Sequence, residues 1–184
     1  MIKPQPTPTE NELSRLLDAA TVADAGMRDR AMLELLAGCG LTTAELARAR
    51  RDDLHEQTLT VSGRKGVVRE ITLTHQAQYY LTNYLTTRHD QVPYLFIRHD
   101  RARAGAPMAH LTARSIQRAL ERHRKSAGIR QRLTPSALRR VFARNSLKGG
   151  ITLENLRLLL GHNHPGSTRR LSALVAGDLQ AATI

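Results

Sequence analysis

Two short segments near the C-terminus hold the side chains of this sequence that are best suited to chemistry. Residues 133–140 contain Arg139, and residues 158–162 end in Gly-His at His162. A guanidinium fork grips phosphate oxygens, and an imidazole can move a proton near neutral pH. The two residues are therefore candidates for a phosphate-handling site. No tyrosine is available nearby as a nucleophile, because all four lie upstream, at positions 79, 80, 84 and 94.

Four stretches of the chain resemble, in the same order, the motifs of one protein family. Residues 40–46 are similar to G-L-R-x-x-E-L, residues 63–71 to a lysine-bearing β-hairpin, residues 134–139 to T-P-H-x-L-R, and residues 160–162 to L-G-H. Together they resemble the catalytic domain of the tyrosine recombinases, the phage integrase and Xer-type family, over residues 9–174. Each motif alone is a weak match, whereas all four in family order are specific.

The resemblance implies that part of the family's active site is kept. In the family, a tyrosine attacks a backbone phosphate and forms a covalent 3′-phosphotyrosyl bond. Two arginines stabilise charge on the phosphate oxygens, and a lysine and histidines assist proton transfer. Arg139 and His162 keep the family's residues, and the hairpin lysine falls on Arg64 or, one position along, on Lys65.

Three other positions depart from the family pattern. The first arginine falls on Thr42, the histidine of H-x-L-R falls on Ser136, and the tyrosine falls on Leu171, nine positions beyond His162. Leucine has no nucleophilic atom, so it cannot form a covalent intermediate. Threonine lacks the planar fork with which arginine binds phosphate. Ser172 is the only local substitute for the nucleophile, and no base is evident beside it.

Each of these residues also has a purely structural interpretation. Thr42 with Glu45 has the spacing of a capping box, which would start a helix whatever the site has lost. His162 could cap the carbonyls at a helix end, with Gly161 as an ordinary C-terminal residue. Arg139 could belong to a general basic surface, but it lies off the row of the neighbouring cations, and we expect it to face the pocket.

The positive charge of the chain is concentrated in one segment. The net charge is +12, and residues 98–148 contain 14 Lys or Arg against two acids, so the remaining 14 basic and 14 acidic residues cancel. A polyanion is the natural partner for such a field. Two rows of cations recur at helical spacing in this segment, and we expect both to contact DNA. The residues are Arg114, Arg118, Arg122 and Lys125 in the first row and Arg140, Arg144 and Lys148 in the second.

The apolar pattern predicts a mainly α-helical fold with a small antiparallel β-sheet, of integrase catalytic-domain type. Helices are expected near residues 9–20, 27–37, 42–50, 76–88, 113–127, 135–148 and 153–160, with weaker segments beyond 167. Strands are expected near 58–61 and 68–73, with a short extended link at 94–97 and a loop at 105–107. We expect a flexible segment at 1–8, one domain at 9–176, a tail at 177–184, and no N-terminal core-binding domain.

Other functional classes receive little support from the sequence. The histidines lack a metal-ligand spacing, and no nucleotide-binding motif is present, so neither a metal nor a cofactor is expected. The single cysteine, Cys39, excludes an intrachain disulfide and is expected to be packed. No apolar run approaches the ~20 residues that span a bilayer. We therefore expect no membrane association and a cytoplasmic, nucleoid-associated protein.

These observations favour a double-stranded DNA-binding protein that does not cleave DNA and acts as an accessory or regulatory factor in recombination or integration. One alternative is a partial recombinase completed by a tyrosine from another protein. A second is a protein-interaction decoy that docks onto a full-length recombinase, or onto itself, through the C-terminal helix. Leu171, Leu174, Val175 and Leu179 would give that helix an apolar face.

Overall fold

The computed structural model describes residues 7–22, 25–63, 66–98 and 110–181. The hairpin residues Arg64 and Lys65 and the expected loop at 105–107 lie outside the described residues. The described part of the chain forms eight α-helices and a three-stranded antiparallel sheet, so the predicted fold class is confirmed.

The elements follow one another in a simple order. They are α1 (Glu10–Thr21), α2 (Gly26–Gly38), α3 (Thr43–Arg48), a 3-10 turn (Arg51–Asp53), β1 (Leu54–His55), β2 (Thr58–Ser62), β3 (Val68–Thr72), α4 (His75–Thr86), α5 (Ala113–Ser126), α6 (Pro135–Lys148), α7 (Leu153–Leu160) and α8 (Pro165–Ala181). Strand β1 was not predicted, and α8 continues beyond the domain boundary expected at residue 176.

Threonine side chains start most of these helices. In each case the threonine hydroxyl accepts a hydrogen bond from a backbone N–H in the first turn, which satisfies a donor that has no partner inside the helix. Two of them form capping boxes, Thr9 with Glu12 and, as predicted, Thr42 with Glu45. The other capping threonines are Thr74, Thr112, Thr134 and Thr152. Helix boundaries were predictable because these signals are local.

Helix α2 is the centre of the main hydrophobic core. It is buried continuously from residue 31 to residue 37, and it packs against α1, α4 and α6. Leu81 and Tyr84 of α4 are almost fully buried against it, so both are packing residues. Cys39, at the end of α2, is also buried, and burial raises the pKa of its thiol to about 11. The thiol is thus a packing group at neutral pH.

The inward-facing side chains of the sheet pack against this core. Strands β2 and β3 pair in antiparallel register, with Thr58 opposite Thr72 and Val61 opposite Arg69. Ile71 and Arg69 share one face of β3, while Val68, Glu70 and Thr72 are exposed. The alternation therefore places one arginine on the inward face of a strand.

A second apolar cluster joins the three C-terminal helices. Leu156 and Leu160 of α7 are buried with Ala143 of α6 and Val175 of α8, and Leu171 packs against them. Helix α8 therefore folds back onto its own chain. None of the helices in the described part of the chain is long and apolar enough to cross a membrane.

Candidate phosphate-binding site

A cavity of about 880 Å³ lies where α3, α6 and the β2–β3 hairpin meet the turn between α7 and α8. The start of α3 contributes Thr42 and Glu45, and its end contributes Arg48. Helix α6 contributes Arg139, and the α7–α8 turn contributes His162. The structure thus brings together the two residues that keep the family pattern. Ser136 and Leu171 are not among the residues that line this cavity.

Arg139 is held from both sides by backbone carbonyls. Its two terminal nitrogens donate to the carbonyl oxygens of Gly40 and Leu160, and Nη1 lies 3.8 Å from Oε2 of Glu45. Only 12% of the side chain is exposed. Burial, reinforced by the nearby charge of Arg69, lowers the pKa of Arg139 to about 10, although Glu45 opposes this shift. The guanidinium is still charged at neutral pH, and it joins α6 to the ends of α2 and α7.

His162 follows the glycine that ends α7. Gly161 has a left-handed backbone, with φ of 63°, and the next amide, that of His162, donates to the carbonyl of Arg157 at 3.0 Å. Nδ1 of His162 shares a hydrogen bond of 3.0 Å with the buried hydroxyl of Thr168. Burial, followed by the charges of Arg139 and Arg69, lowers the pKa of His162 to about 4. The imidazole is therefore neutral at pH 7.

Thr42 is fully engaged in its capping box. Its hydroxyl accepts from the amide of Glu45 at 3.2 Å and donates to Oε2 of the same residue at 2.9 Å. The amide of Thr42 donates to that carboxylate oxygen at 2.8 Å. The capping interpretation of Thr42 is confirmed, and its side chain has no proton left to offer a ligand.

Arg69, which was not predicted as a site residue, joins the site to the sheet. Its Nη1 forms an ion pair with Oε1 of Glu45, and its Nε donates to the carbonyl of Leu159 at 2.8 Å. The side chain is 8% exposed, and Nη2 is buried without a hydrogen-bond partner. Glu45 therefore lies between two arginines, Arg69 and Arg139. The available signal was the strand alternation, since a cation on an inward position needs a buried acid.

This network sets the pKa of Glu45 and the identity of residue 161. Burial would raise the pKa of Glu45, but the hydrogen bonds from Arg69 and Thr42 and the charge of Arg69 outweigh it and lower the pKa. A Cβ atom at Gly161 would lie 2.7 Å from Nη1 of Arg69. Glycine is thus required both by the backbone conformation and by the close approach of Arg69.

Arg48 is a further cation of the cavity that the sequence analysis did not single out. It is the last residue of α3 and is exposed, and its Nη2 donates to the carbonyl of Ser62 at 2.8 Å. The hydrogen bond directs the guanidinium toward the end of β2, where the hairpin begins.

The first expected row of DNA-binding cations lies on an exposed face of α5. Arg114 and Arg118 are exposed, and the side chain of Lys125 is 70% exposed at 4.0 Å from Glu121. Arg122 is 56% exposed, and its Nη2 is also bound to the buried Asp29 at 2.7 Å. The side-chain arrangement expected for this row is therefore present, although Arg122 also has a structural role.

The prediction that the second row of cations faces the solvent is wrong. Arg140 and Arg144 are only 5% and 8% exposed. Nε of Arg140 donates to the hydroxyl of Thr7 at 3.0 Å, and Nη1 of Arg144 donates to the carbonyl of Pro8 at 3.0 Å. Helical spacing correctly predicted that these residues share one face of α6, but the segment before α1 covers that face. Lys148, the third member, is half exposed and lies 3.7 Å from Glu10.

The same contacts bear on the expected flexible segment at 1–8. Residues 1–6 lie outside the described residues, whereas Thr7 and Pro8 are buried against α6.

Among the described residues, no group of three or more His, Cys, Asp or Glu side chains could hold a metal ion.

Comparison with known proteins accounts for this arrangement. Residues 7–174 match the phage integrase family. The chain is 32% identical over 177 residues to the tyrosine recombinase XerA of Pyrococcus furiosus. This match covers 95% of the chain and 59% of that relative. It is 33% identical over 169 residues to the tyrosine recombinase XerC of Alcanivorax borkumensis, covering 86% of the chain and 52% of the relative. The chain thus spans a little over half the length of these two relatives.

Solved structures agree with the sequence match. The crystal structure of XerA recombinase superposes with a TM-score of 0.81 at 25% identity, over 98% of this chain and 65% of that one. A lambda integrase dimer bound to a core site gives a TM-score of 0.73 at 20% identity, over 93% and 60% of the two chains, which shows the shared fold. The match over residues 7–174, together with these structures, means that the chain belongs to the phage integrase family.

Proposed function

We propose that this chain binds double-stranded DNA without cleaving it and acts as an accessory or regulatory factor in DNA recombination or integration. The observation that carries the proposal is the combination of a cationic pocket with an apolar side chain at the position of the family's tyrosine. A DNA partner would keep the protein with the nucleoid in the cytoplasm. No cofactor or metal is needed for this role.

The charge distribution supports DNA as the ligand. The net charge of the chain is +12, and Arg114 and Arg118 of α5 are exposed. Arg122 and Lys125 extend the same face. Four cations at a spacing of three or four residues form a stripe along one helix, which suits a row of backbone phosphates.

The environment of Leu171 supports the lack of cleavage. Leu171 packs with Leu156, Leu160 and Val175, so its position belongs to an apolar cluster. Thr42 cannot replace the missing arginine, because its hydroxyl is already bound to Glu45 in both directions. Losing one preorganised charge contact typically costs ~3 kcal/mol of transition-state stabilisation, and here the nucleophile is missing as well.

The names of the similar proteins support the DNA-binding part of this proposal. The two relatives described above are tyrosine recombinases. Two proteins that share the fold were solved with DNA, XerH bound to a difH substrate and lambda integrase bound to its core site. We extend DNA binding, but not strand cleavage, to this chain.

A salt titration tests DNA binding. If the exposed cations of α5 and one pocket cation neutralise about four or five phosphates, affinity for duplex DNA should fall roughly 150- to 500-fold between 50 and 200 mM salt. Fluorescence anisotropy with a labelled duplex measures this slope. Arg118→Ala should weaken binding, whereas Arg15→Ala removes the same charge from the exposed face of α1 and serves as the control. A flat salt response would refute DNA as the partner.

A covalent-trapping assay on nicked duplex DNA tests the absence of cleavage. The protein alone should give no adduct that survives a denaturing gel. If a partner recombinase supplies the tyrosine, the covalent bond joins DNA to the partner and not to this chain. An adduct that forms only when both proteins are present would therefore support that alternative. The decoy alternative is weaker, because Leu171 and Val175 are already covered by α6 and α7 of the same chain. Leu179 lies where side chains are not described, so its part in that face stays untested.

A further inference from the structure

We propose that Arg48 is the principal phosphate-contacting cation of the pocket and replaces the guanidinium that the chain lacks at Thr42. The inference rests on the proposed binding of DNA and names the residue through which the pocket would take a backbone phosphate. Position 48 is not one of the motif positions that the chain shares with the family. The cations of the pocket differ in how many of their donors are already bound to other protein groups.

The buried arginines of the site are largely committed to the protein. Arg139 donates to two backbone carbonyls and is 12% exposed. Arg69 is paired with Glu45, is 8% exposed, and does not line the cavity. Moving either guanidinium toward a ligand would leave Glu45 or a buried carbonyl without its partner, which is costly in a protein interior.

His162 cannot supply the missing charge at neutral pH. Its pKa is lowered to about 4, first by burial and then by the charges of Arg139 and Arg69. A neutral imidazole can share a hydrogen bond with a phosphate but brings no attraction between charges. Among the described residues that line the cavity, Arg48 is consequently the exposed guanidinium.

The position of Arg48 suits a phosphate contact. It lies at the opposite end of α3 from Thr42, and both residues line the same cavity. The hydrogen bond from its Nη2 to the carbonyl of Ser62 uses one of its five N–H groups and restrains the side chain at 2.8 Å from that oxygen. A restrained guanidinium loses less side-chain entropy on binding than a free one, and its remaining donors can form the fork that matches phosphate.

The excess of positive charge around the cavity also favours a bound anion. Glu45 carries one negative charge, which its short ion pair with Arg69 offsets. Arg139 and Arg48 then remain as two positive charges that line the space. One phosphodiester carries a single negative charge, so it would reduce this excess without leaving a buried anion unpaired.

The test compares Arg48→Ala with Arg50→Ala in duplex DNA binding at one salt concentration. Both changes remove one exposed arginine within three residues of chain, but Arg50 does not line the cavity and its guanidinium lies over the ring of Tyr94. Arg48→Ala should weaken binding about tenfold or more, as expected for a hydrogen-bonded charge contact, and should reduce the salt slope by about 0.9. Arg50→Ala should change affinity by less than about threefold, in the range of an exposed charge.

Two further variants separate the fork from the charge and from folding. Arg48→Lys keeps the charge without the fork, so it should recover only part of the lost affinity. Arg48→Gln can still donate to Ser62 and provides the comparison if thermal unfolding shows that the alanine variant is not folded. Equal affinities for the Arg48 and Arg50 variants would overturn the assignment of Arg48 while leaving DNA binding in place. A wild-type protein that does not bind duplex DNA at all would instead overturn the proposed function itself.

Discussion

Removing the charge of Glu45 should destabilise the protein far more than removing the charge of Glu12. Both residues complete capping boxes with a threonine three positions earlier, at the starts of α3 and α1. Glutamine can complete a capping box as glutamate does, so Glu45→Gln and Glu12→Gln change the charge while keeping the cap. The difference between the two variants therefore isolates the ion pairs of Glu45.

The size of the effect follows from the burial of the charges. The side chain of Glu45 is 5% exposed and that of Arg69 is 8% exposed. Breaking a buried pair typically costs 3–5 kcal/mol, and we expect at least about 3 kcal/mol, because a glutamine oxygen that accepts from the amide of Thr42 leaves only an NH2 group toward Arg69. For a chain of this size, that loss corresponds to a fall in Tm of roughly 6–12 °C. Glu12→Gln, at a more exposed position, should cost less than about 0.5 kcal/mol.

The stability difference should also depend on pH with a defined sign. The pKa of Glu45 is lowered from 4.5 in the folded protein, so its charge stabilises the fold above that value. This contribution is lost as pH falls through the folded pKa, because both states then bind the proton. The gap in unfolding free energy between wild type and Glu45→Gln should hence be constant near pH 7 and should narrow on acidification below about pH 4.5.

Urea unfolding followed by circular dichroism, at pH 7 and at several lower values, measures these quantities. The slopes of the transitions report whether the unfolded states are comparable. Similar losses for Glu45→Gln and Glu12→Gln at pH 7 would refute the view that Glu45 is the charge centre of the site. A gap that stays constant down to pH 3 would show that its pKa is not lowered in the folded protein.

Three other experiments test separate parts of the structure. Arg144→Ala should lower the unfolding free energy by about 1–3 kcal/mol, because the carbonyl of Pro8 loses its buried donor, whereas Arg118→Ala should cost less than about 0.5 kcal/mol; equal losses in urea unfolding would contradict the burial of Arg144. His162 should titrate in NMR spectra with a pKa of about 4, since burial disfavours its charged form, and the stability associated with it should fall as pH drops below the unfolded value of about 6.5; a midpoint above pH 6 would contradict the burial argument. Leu171→Tyr should still give no covalent adduct with nicked DNA, because position 171 packs in the apolar cluster and does not line the cavity; an adduct on a denaturing gel would show that only the tyrosine was missing.

Local signals made most of the fold predictable from the sequence. Thr134 with Pro135, for example, defines the start of α6, since a threonine cap and a proline in the first turn both act within a few residues. The convergence of Arg139 and His162 on one cavity followed from the family motifs rather than from periodicity. The chemical role of this pair, and the lack of cleavage, stay predictions.

The predictions from the sequence were wrong or incomplete where a distant segment of the chain determines the environment of a side chain. Arg140 and Arg144 have the spacing of a solvated row, but they are buried and contact Thr7 and Pro8, more than 130 positions away. Arg69 was overlooked for the related reason that its acid, Glu45, belongs to another element. A helical wheel identifies which residues share a face but not what covers that face.

The return of α8 onto its own chain has a consequence for any exchange of this helix between two copies. Exchange of identical elements preserves the contacts of Val175 with Leu156 and Leu160. The free-energy cost of the exchange therefore comes from opening the hinge. That hinge can only be the connection at 161–164 between α7 and α8, and those four residues line the cavity. Opening it would pull His162 away from Arg139 and Thr168. Assembly through α8 and occupation of the pocket would thus be thermodynamically linked, so that a bound phosphate would favour one arrangement of the subunits over the other.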